Sequence, residues 1–323
     1  MSEQLDIITG AFSYTGREIA RQLLPTGHTV KTLTRRGLSE SPFGDRVQPL
    51  PLNFEDPPAL AASLEGAHTL YNTYWVRFAH GDVEFSDAVR NTTVLIEAAQ
   101  AAGVRRFVHV SITKPHSAPS LPYFKGKALL EETLIASGLS YGIVRPTVVF
   151  GRGDVFINNV AWILRHFPFV GIPGDGRYGI QPVHVDDVAR IAVELGATSE
   201  NLIRDAAGPE TFTWDEFVTT IGAGIGCVRP LVHVPVPVAL AMAKAIGVLV
   251  HDVVVNRQEL AGLMANLVVS DLPPSGEIRL TEWIRDHAET LGQTYSSELN
   301  RNFRRPSSPW DDLTHSTPTP KPS

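Results

Sequence analysis

Tyr123 and Lys127 stand four residues apart in Pro122-Tyr123-Phe124-Lys125-Gly126-Lys127. That spacing puts both side chains on one face of a helix. A free phenol has a pKa of about 10, too high for ready proton exchange near neutrality. A neighbouring ammonium favours phenolate and lowers that value. Such a pair can pass a proton to or from a carbonyl or alcohol oxygen while a nicotinamide carries the hydride, and the lysine can also hold the nicotinamide ribose. Upstream, Val110-Ser111-Ile112-Thr113 closes an apolar run. Alternation sets Ser111 and Thr113 on the same side. The outer one, Thr113, is the better placed to hydrogen-bond a substrate oxygen near Tyr123, and backbone groups compete for both hydroxyls.

A second set of residues has the chemistry of dinucleotide binding. Gly10-Ala11-Phe12-Ser13-Tyr14-Thr15-Gly16 lies between an apolar N-terminal run and an amphipathic segment. A dinucleotide needs a tight turn, close approach of backbone to pyrophosphate, and a helix start aiming N–H groups at the anion. Gly10 suits the turn and Gly16 the close helix–strand packing, while Ser13 stands where a middle glycine is usual. Phe12, Tyr14 and Thr15 complete the expected loop. The next strand ends in Thr34-Arg35-Arg36. With no acid there to bind ribose hydroxyls, Arg35 and Arg36 suit the 2′-phosphate of NADP(H), making NAD(H) the less expected cofactor. Asn53 offers an adenine contact or, equally, a turn. Asn72, Tyr74, Trp75 and Arg77 follow the fourth strand, where they could line the nicotinamide or substrate pocket or pack as a loop. Asn158, Asn159 and Trp162 are candidates for substrate contact. His68, His80, His109 and His116 lack metal-ligand spacing, so no metal is expected.

Positioning these groups requires alternating strands and helices. Strands are expected at Leu5–Gly10, Thr29–Thr34, Val47–Phe54, His68–Tyr74, Phe107–Ile112 and Tyr141–Val149. Helices are expected at 16–24, 57–64, 85–102 and 122–136. The pattern predicts an α/β fold, a Rossmann doubly wound parallel sheet. After Gly151 the rhythm changes, and a mainly helical, smaller C-terminal substrate lobe is expected. The division expected is 1–170 for the dinucleotide domain, with a return segment near 181–207, and 171–304 for the lobe. The tail 305–323, rich in Pro, Ser and Thr, is expected to be disordered. Asp186 is expected to cap the helix that follows it, with Asp187 favoured by the helix dipole.

The chain has 323 residues, 28 Lys and Arg against 34 Asp and Glu, and one cysteine, Cys227. A net charge of −6 gives no basis for bulk binding of nucleic acid. One cysteine permits neither an intrachain disulfide nor a cysteine metal cluster, which suits a reducing, cytoplasmic setting. The most apolar stretch, Val234–Val250, is interrupted by prolines and Lys244, so no transmembrane segment is expected.

Taken in order, these pieces resemble the short-chain dehydrogenase/reductase superfamily, in its extended or atypical branch. They are Thr9-Gly10-Ala11 through Gly16, Ser111-Ile112-Thr113, Tyr123 with Lys127, Val144-Arg145-Pro146 leading to Gly151, and Pro182 through Ala189. The chain is similar to epimerase/dehydratase-like, NmrA-like and NDUFA9-like members. The resemblance implies an NAD(P)-binding Rossmann domain, Pro146 beside the cofactor, and Thr113, Tyr123 and Lys127 as the catalytic group. It departs from the family pattern at Ser13 and in the helix after strand four, where Asn91 is offset from the usual asparagine. The expected function is an NADP(H)-dependent oxidoreductase or epimerase-type enzyme acting on a carbonyl or hydroxyl of a small molecule. The alternative is a non-catalytic NADP(H)-binding sensor or assembly protein. A strict sugar-nucleotide epimerase would need a nucleotide pocket in the second lobe, and none is recognisable in the sequence. A small-molecule substrate is the expected partner, with a homodimer as an option.

Overall fold

The computed structural model describes residues 4–76 and 84–299. Arg77, His80 and the 305–323 tail therefore lie outside the described residues.

The N-terminal half runs β1 (Leu5–Thr9), α1 (Tyr14–Leu23), β2 (Thr29–Thr34), β3 (Val47–Pro51), α2 (Pro57–Ser63), β4 (Thr69–Asn72), α3 (Phe85–Ala101), β5 (Arg106–Val110), α4 (Pro122–Ala136) and β6 (Tyr141–Pro146). Then follow β7 (Val148–Phe150), α5 (Phe156–His166), β8 (Val170–Pro173), β9 (Gly179–Ile180), β10 (Pro182–His184), α6 (Val185–Ala197) and β11 (Leu202–Ala206). The chain continues with β12 (Phe212–Thr213), α7 (Trp214–Gly224), β13 (Leu231–Val234), α8 (Val236–Val250), α9 (Arg257–Met264) and α10 (Leu280–His287).

Seven strands form one parallel sheet in the order β11-β6-β5-β4-β1-β2-β3. This is a Rossmann-type α/β fold, as the alternating pattern predicts. The central strands are buried on both faces, which is why β1 reads as a near-continuous apolar run. On one face Ile8, Val108 and Val144 pack with Ile19 and Leu23 of α1 and Val188 and Ile191 of α6. On the other, Ile7, Leu33 and Phe107 pack with Leu60 of α2, Leu95 of α3 and Leu134 of α4. The strand order reverses between β1 and β4, and the carboxyl ends there open the crevice where ligands sit in such folds.

A third core joins Ile157, Ala161 and Leu164 of α5 to Phe217 and Ile221 of α7 and Ile284 of α10. This C-terminal part is mainly helical. The sequence pattern did not predict α5, nor β8, which pairs with β13 inside the Gly/Pro-rich stretch after residue 170. The expected strand Tyr141–Val149 is two strands, broken at Thr147, whose N–H turns to Ala206 O at 3.0 Å.

Local chemistry fixes the helix starts. Asp56 accepts from Ala59 N ahead of Pro57, and Thr213 with Glu216 forms a capping box on α7. At α6 the cap differs from expectation. The helix begins at Val185, one residue before Asp186, so the cap is His184, whose Nδ1 accepts from Asp186 N at 3.2 Å. Burial holds the His184 pKa below its usual value, consistent with a neutral, accepting imidazole. Asp187 is buried and accepts from Glu277 N and Ile278 N, tying α6 to the C-terminal segment.

Among the described residues, no helix is long and apolar enough to cross a membrane, and no group of three or more His, Cys, Asp or Glu is placed to hold a metal.

Candidate active site

The turn after β1 is shaped by two glycines. Gly10 sits at φ +72°, a left-handed conformation that glycine adopts without strain. Its N–H donates to Leu33 O and its carbonyl accepts from Ser13 N. Gly16 faces that carbonyl so closely that a Cβ there would lie 2.4 Å from Gly10 O. The first turn of α1 is thus pressed onto the loop, with Ser13 as an exposed, extended N-cap whose side chain makes no capping bond. No acidic residue occupies that first turn, so its N–H groups remain suited to an anion.

A cavity of about 850 Å³ opens beside this loop. Gly10, Ser13, Tyr14 and Thr15 line it, as do Arg35 and Arg36 at the end of β2. Arg36 is half-buried and donates to Phe12 O at 2.9 Å, clasping the loop. Arg35 is exposed and has no carboxylate partner among the described residues. Gly10 and Gly16 forming a tight cradle, an uncapped helix start and a free guanidinium together fit a dinucleotide, with Arg35 suited to a phosphate. Phe12 does not line the cavity. Its ring is buried in the core beneath the loop. Asn53 does not line it either. Its Oδ1 accepts from Glu55 N at 3.1 Å, the turn-forming role.

Deeper in, the cavity meets Tyr74, Trp75, Ser111, Tyr123 and Pro146. Tyr123, in the first turn of α4, is half-buried with its ring edge-on to Trp75 (5.5 Å) and Phe85 (5.7 Å). Ser111 is almost wholly buried, and its Oγ has no hydrogen-bond partner among the described residues. A hydroxyl left unpaired at the wall of a cavity is available for a ligand oxygen. Thr113, expected to orient the substrate oxygen, also has a hydroxyl with no hydrogen-bond partner among the described residues but is placed differently. Thr113 is fully buried, lies off the cavity, and its N–H is bonded to Pro146 O. The chain continues past β5 alongside β6, and Ser111, one alternation earlier, reaches the opening. The alternation in sequence names both hydroxyls; which of them meets the opening depends on where β6 stops covering them.

Lys127 is nearly inaccessible and does not line the cavity. Its Nζ donates to Val110 O at 2.9 Å and sits 4.3 Å from the centre of the Trp75 ring. Burial brings its pKa down to about 7, partly opposed by Glu131. Trp75 also packs on Gly126, where a Cβ would come within 3.0 Å of the indole. Trp75 is therefore wedged over the α4 face between Tyr123 and Lys127. Asn91 on α3 does not reach this group and donates to Tyr74 Oη at 2.9 Å.

Asn72 is fully buried and outside the cavity. Its Oδ1 accepts from Thr9 Oγ1 (3.0 Å) and Tyr74 N (3.1 Å), and its Nδ2 meets His109 Nδ1 at 3.1 Å. It stitches β1, β4 and β5 together, and burial keeps the His109 pKa well below the usual imidazole range. The two lobe asparagines are also held. Asn158 lies off the cavity, bonded to Thr294 O, Ser296 Oγ and Gly292 N. Asn159 lines the cavity, but its amide pairs at both ends with the Ser296 backbone at 2.9 Å. Neither bond was legible in sequence, because the partners lie more than 130 residues away.

Residues 10–155 match a protein family described as NAD(P)H-binding. NADH dehydrogenase (ubiquinone) 1 alpha subcomplex subunit 9, mitochondrial, of Arabidopsis thaliana is 25% identical over 284 residues, spanning 82% of this chain and 70% of that protein. Sterol demethylase protein B of Methylococcus capsulatus is 30% identical over 46% of this chain and 52% of its own length. In three dimensions, UDP-glucose 4-epimerase of Thermotoga maritima superposes with a TM-score of 0.67 at 18% identity, covering 88% of this chain and 98% of that one. The chain thus resembles NAD(P)H-binding proteins in sequence over residues 10–155 and the epimerase in fold.

Proposed function

We propose that this protein is an NADP(H)-dependent oxidoreductase or epimerase-type enzyme acting on a carbonyl or hydroxyl group of a small molecule. The observation that carries this reading is a single cavity joining the Gly10–Gly16 loop and Arg35 to Ser111 and Tyr123. Gly10, Ser13, Thr15 and the α1 N-terminus would hold the pyrophosphate, and Arg35 a 2′-phosphate. Bound there, the nicotinamide supplies or accepts hydride. Ser111 Oγ orients the substrate oxygen, and Tyr123 Oη gives it a proton or takes one. Lys127 reaches the cofactor ribose only if Trp75 shifts from its Nζ. Its Nζ belongs to the residue one helical turn from Tyr123, and in its protonated form it favours phenolate there.

A second reading is an NADP(H)-binding sensor or assembly protein without catalysis. The observation favouring it is Lys127 sealed beneath Trp75 and satisfied by Val110 O.

The test is cofactor-linked turnover followed by nicotinamide absorbance across ketones, alcohols and sugar nucleotides. Tyr123→Phe should slow turnover about 10²–10⁴-fold while cofactor affinity stays near wild type. Unchanged turnover in Tyr123→Phe removes Tyr123 from the mechanism. Tight cofactor binding without turnover on any substrate supports the second reading.

A further inference from the structure

Beyond Tyr123 the cavity passes between α5, α7, α8 and α9, and its character changes. Ile163, Val218, Met242, Ile246, Val254 and Leu263 wall it. Several polar side chains at this end are already committed to the fold, and the buried Glu298 also lines it. Asp154 accepts from Phe156 N and Ile157 N at the start of α5. The Asn159 amide is held by Ser296, and Asn256 with Glu259 closes the capping box of α9. Gln258 is different: its Oε1 is buried with no hydrogen-bond partner among the described residues. The cations that line the cavity among the described residues, Arg35 and Arg36, stand at the opposite, loop end.

Resting on the catalytic reading above, we infer that the substrate is a lipid-like alcohol or ketone, carrying an isolated oxygen on an otherwise apolar skeleton, and not a nucleotide-linked sugar. A nucleoside diphosphate brings a doubly charged diphosphate and a polyhydroxyl sugar. Burying these needs paired cations and donors, and among the described residues this end of the cavity has no cation to supply. An apolar skeleton leaves the capping bonds intact and gains from removal of its surface from water. Its single oxygen meets Ser111 and Tyr123, and Gln258 offers a further polar contact that a second oxygen could use. The fold shared with sugar-nucleotide enzymes therefore does not carry their substrate class to this chain.

The test uses the full chain with NADP(H) and three probes: a 3β-hydroxysteroid, a C20 isoprenoid alcohol and UDP-glucose. Binding is read by tryptophan fluorescence and calorimetry, and turnover by nicotinamide absorbance. Saturable binding of the steroid or the isoprenoid, with UDP-glucose silent, is expected. Met242→Glu should weaken that binding at least tenfold and Met242→Leu hardly at all. NADP(H) affinity should be unchanged in both, which reports that the variants fold. Saturable UDP-glucose binding, or no binding by either apolar probe, overturns the inference. Apolar binding without turnover upholds it while overturning the catalytic reading, and turnover of UDP-glucose does the reverse.

Discussion

Arg35 decides more than its exposure suggests. Its guanidinium stands at the mouth of the cavity with no carboxylate to satisfy it among the described residues, whereas Arg36 is spent on Phe12 O. A 2′-phosphate would give Arg35 a bidentate, charge-assisted partner. Arg35→Asp should therefore weaken NADP(H) binding at least tenfold and leave NAD(H) within about threefold, since charged hydrogen bonds contribute about 1.5–3 kcal/mol. Fluorescence titration of both cofactors checks this, and equal wild-type affinities would remove Arg35 from phosphate recognition. At the same scale, Ser111 and Thr113 both carry a hydroxyl with no hydrogen-bond partner among the described residues, and only that of Ser111 lines the cavity. Both are buried, and what separates them is a single step of strand alternation relative to the rim of the cavity.

Among the elements, the β1–α1 unit sets the cofactor site through backbone contact. The helix can start where it does only because residue 16 has no side chain, given 2.4 Å from a would-be Cβ to Gly10 O. That neighbour is backbone and cannot swing aside, so Gly16→Ala must displace the loop or the helix. The expected result is at least tenfold weaker cofactor binding and a loss of about 1–3 kcal/mol in stability, as for other overpacked sites. Gly37→Ala is the control. It has φ −79° and only Ser39 Oγ within 4 Å, at 3.7 Å, so both properties should hold. Cofactor titration and chemical denaturation of the two variants make the comparison. A Gly16→Ala protein that binds like wild type would show that the close approach is dispensable.

Across the whole molecule, buried bases couple folding to pH. Burial lowers Lys127 to about 7, against about 10.4 for a free lysine. Below the folded value both states hold the proton and the cost of burying the ammonium is complete. Between the two values the unfolded chain binds more protons, so stability rises with pH. At about 1.4 kcal/mol for each pKa unit the gain is bounded at about 5 kcal/mol. His109 and His184, also lowered by burial, act with the same sign: the unfolded chain takes up protons near pH 6.5 that the fold excludes. The cofactor-free protein should thus gain thermal stability from pH 6 to 9, and Lys127→Met should flatten the upper part of that rise. Melting curves by circular dichroism over this range check it. An unchanged slope in Lys127→Met would mean that Lys127 does not control the upper rise.

What the sequence determined by itself is whatever depends on neighbours within a turn or a strand. The β/α alternation, the α4 boundaries at Pro122 and Ala136, the glycine turn and the Tyr123–Lys127 spacing are all local, and all are legible. Only the tertiary structure decided which polar groups remain free. Asn72, Asn158, Asn159 and Lys127 are satisfied by backbone or side chains brought in by packing, while Ser111 and Gln258 are left facing the cavity. Trp75 lies on α4 only because β4 and α3 carry it there, and no spacing in the chain announces it. The apolar end of the cavity belongs to the same class, since its walls join α5 to the later run of α7, α8 and α9, which only packing brings together. Spacing fixes which side chains can share a face; the partner each one finds there depends on long-range packing.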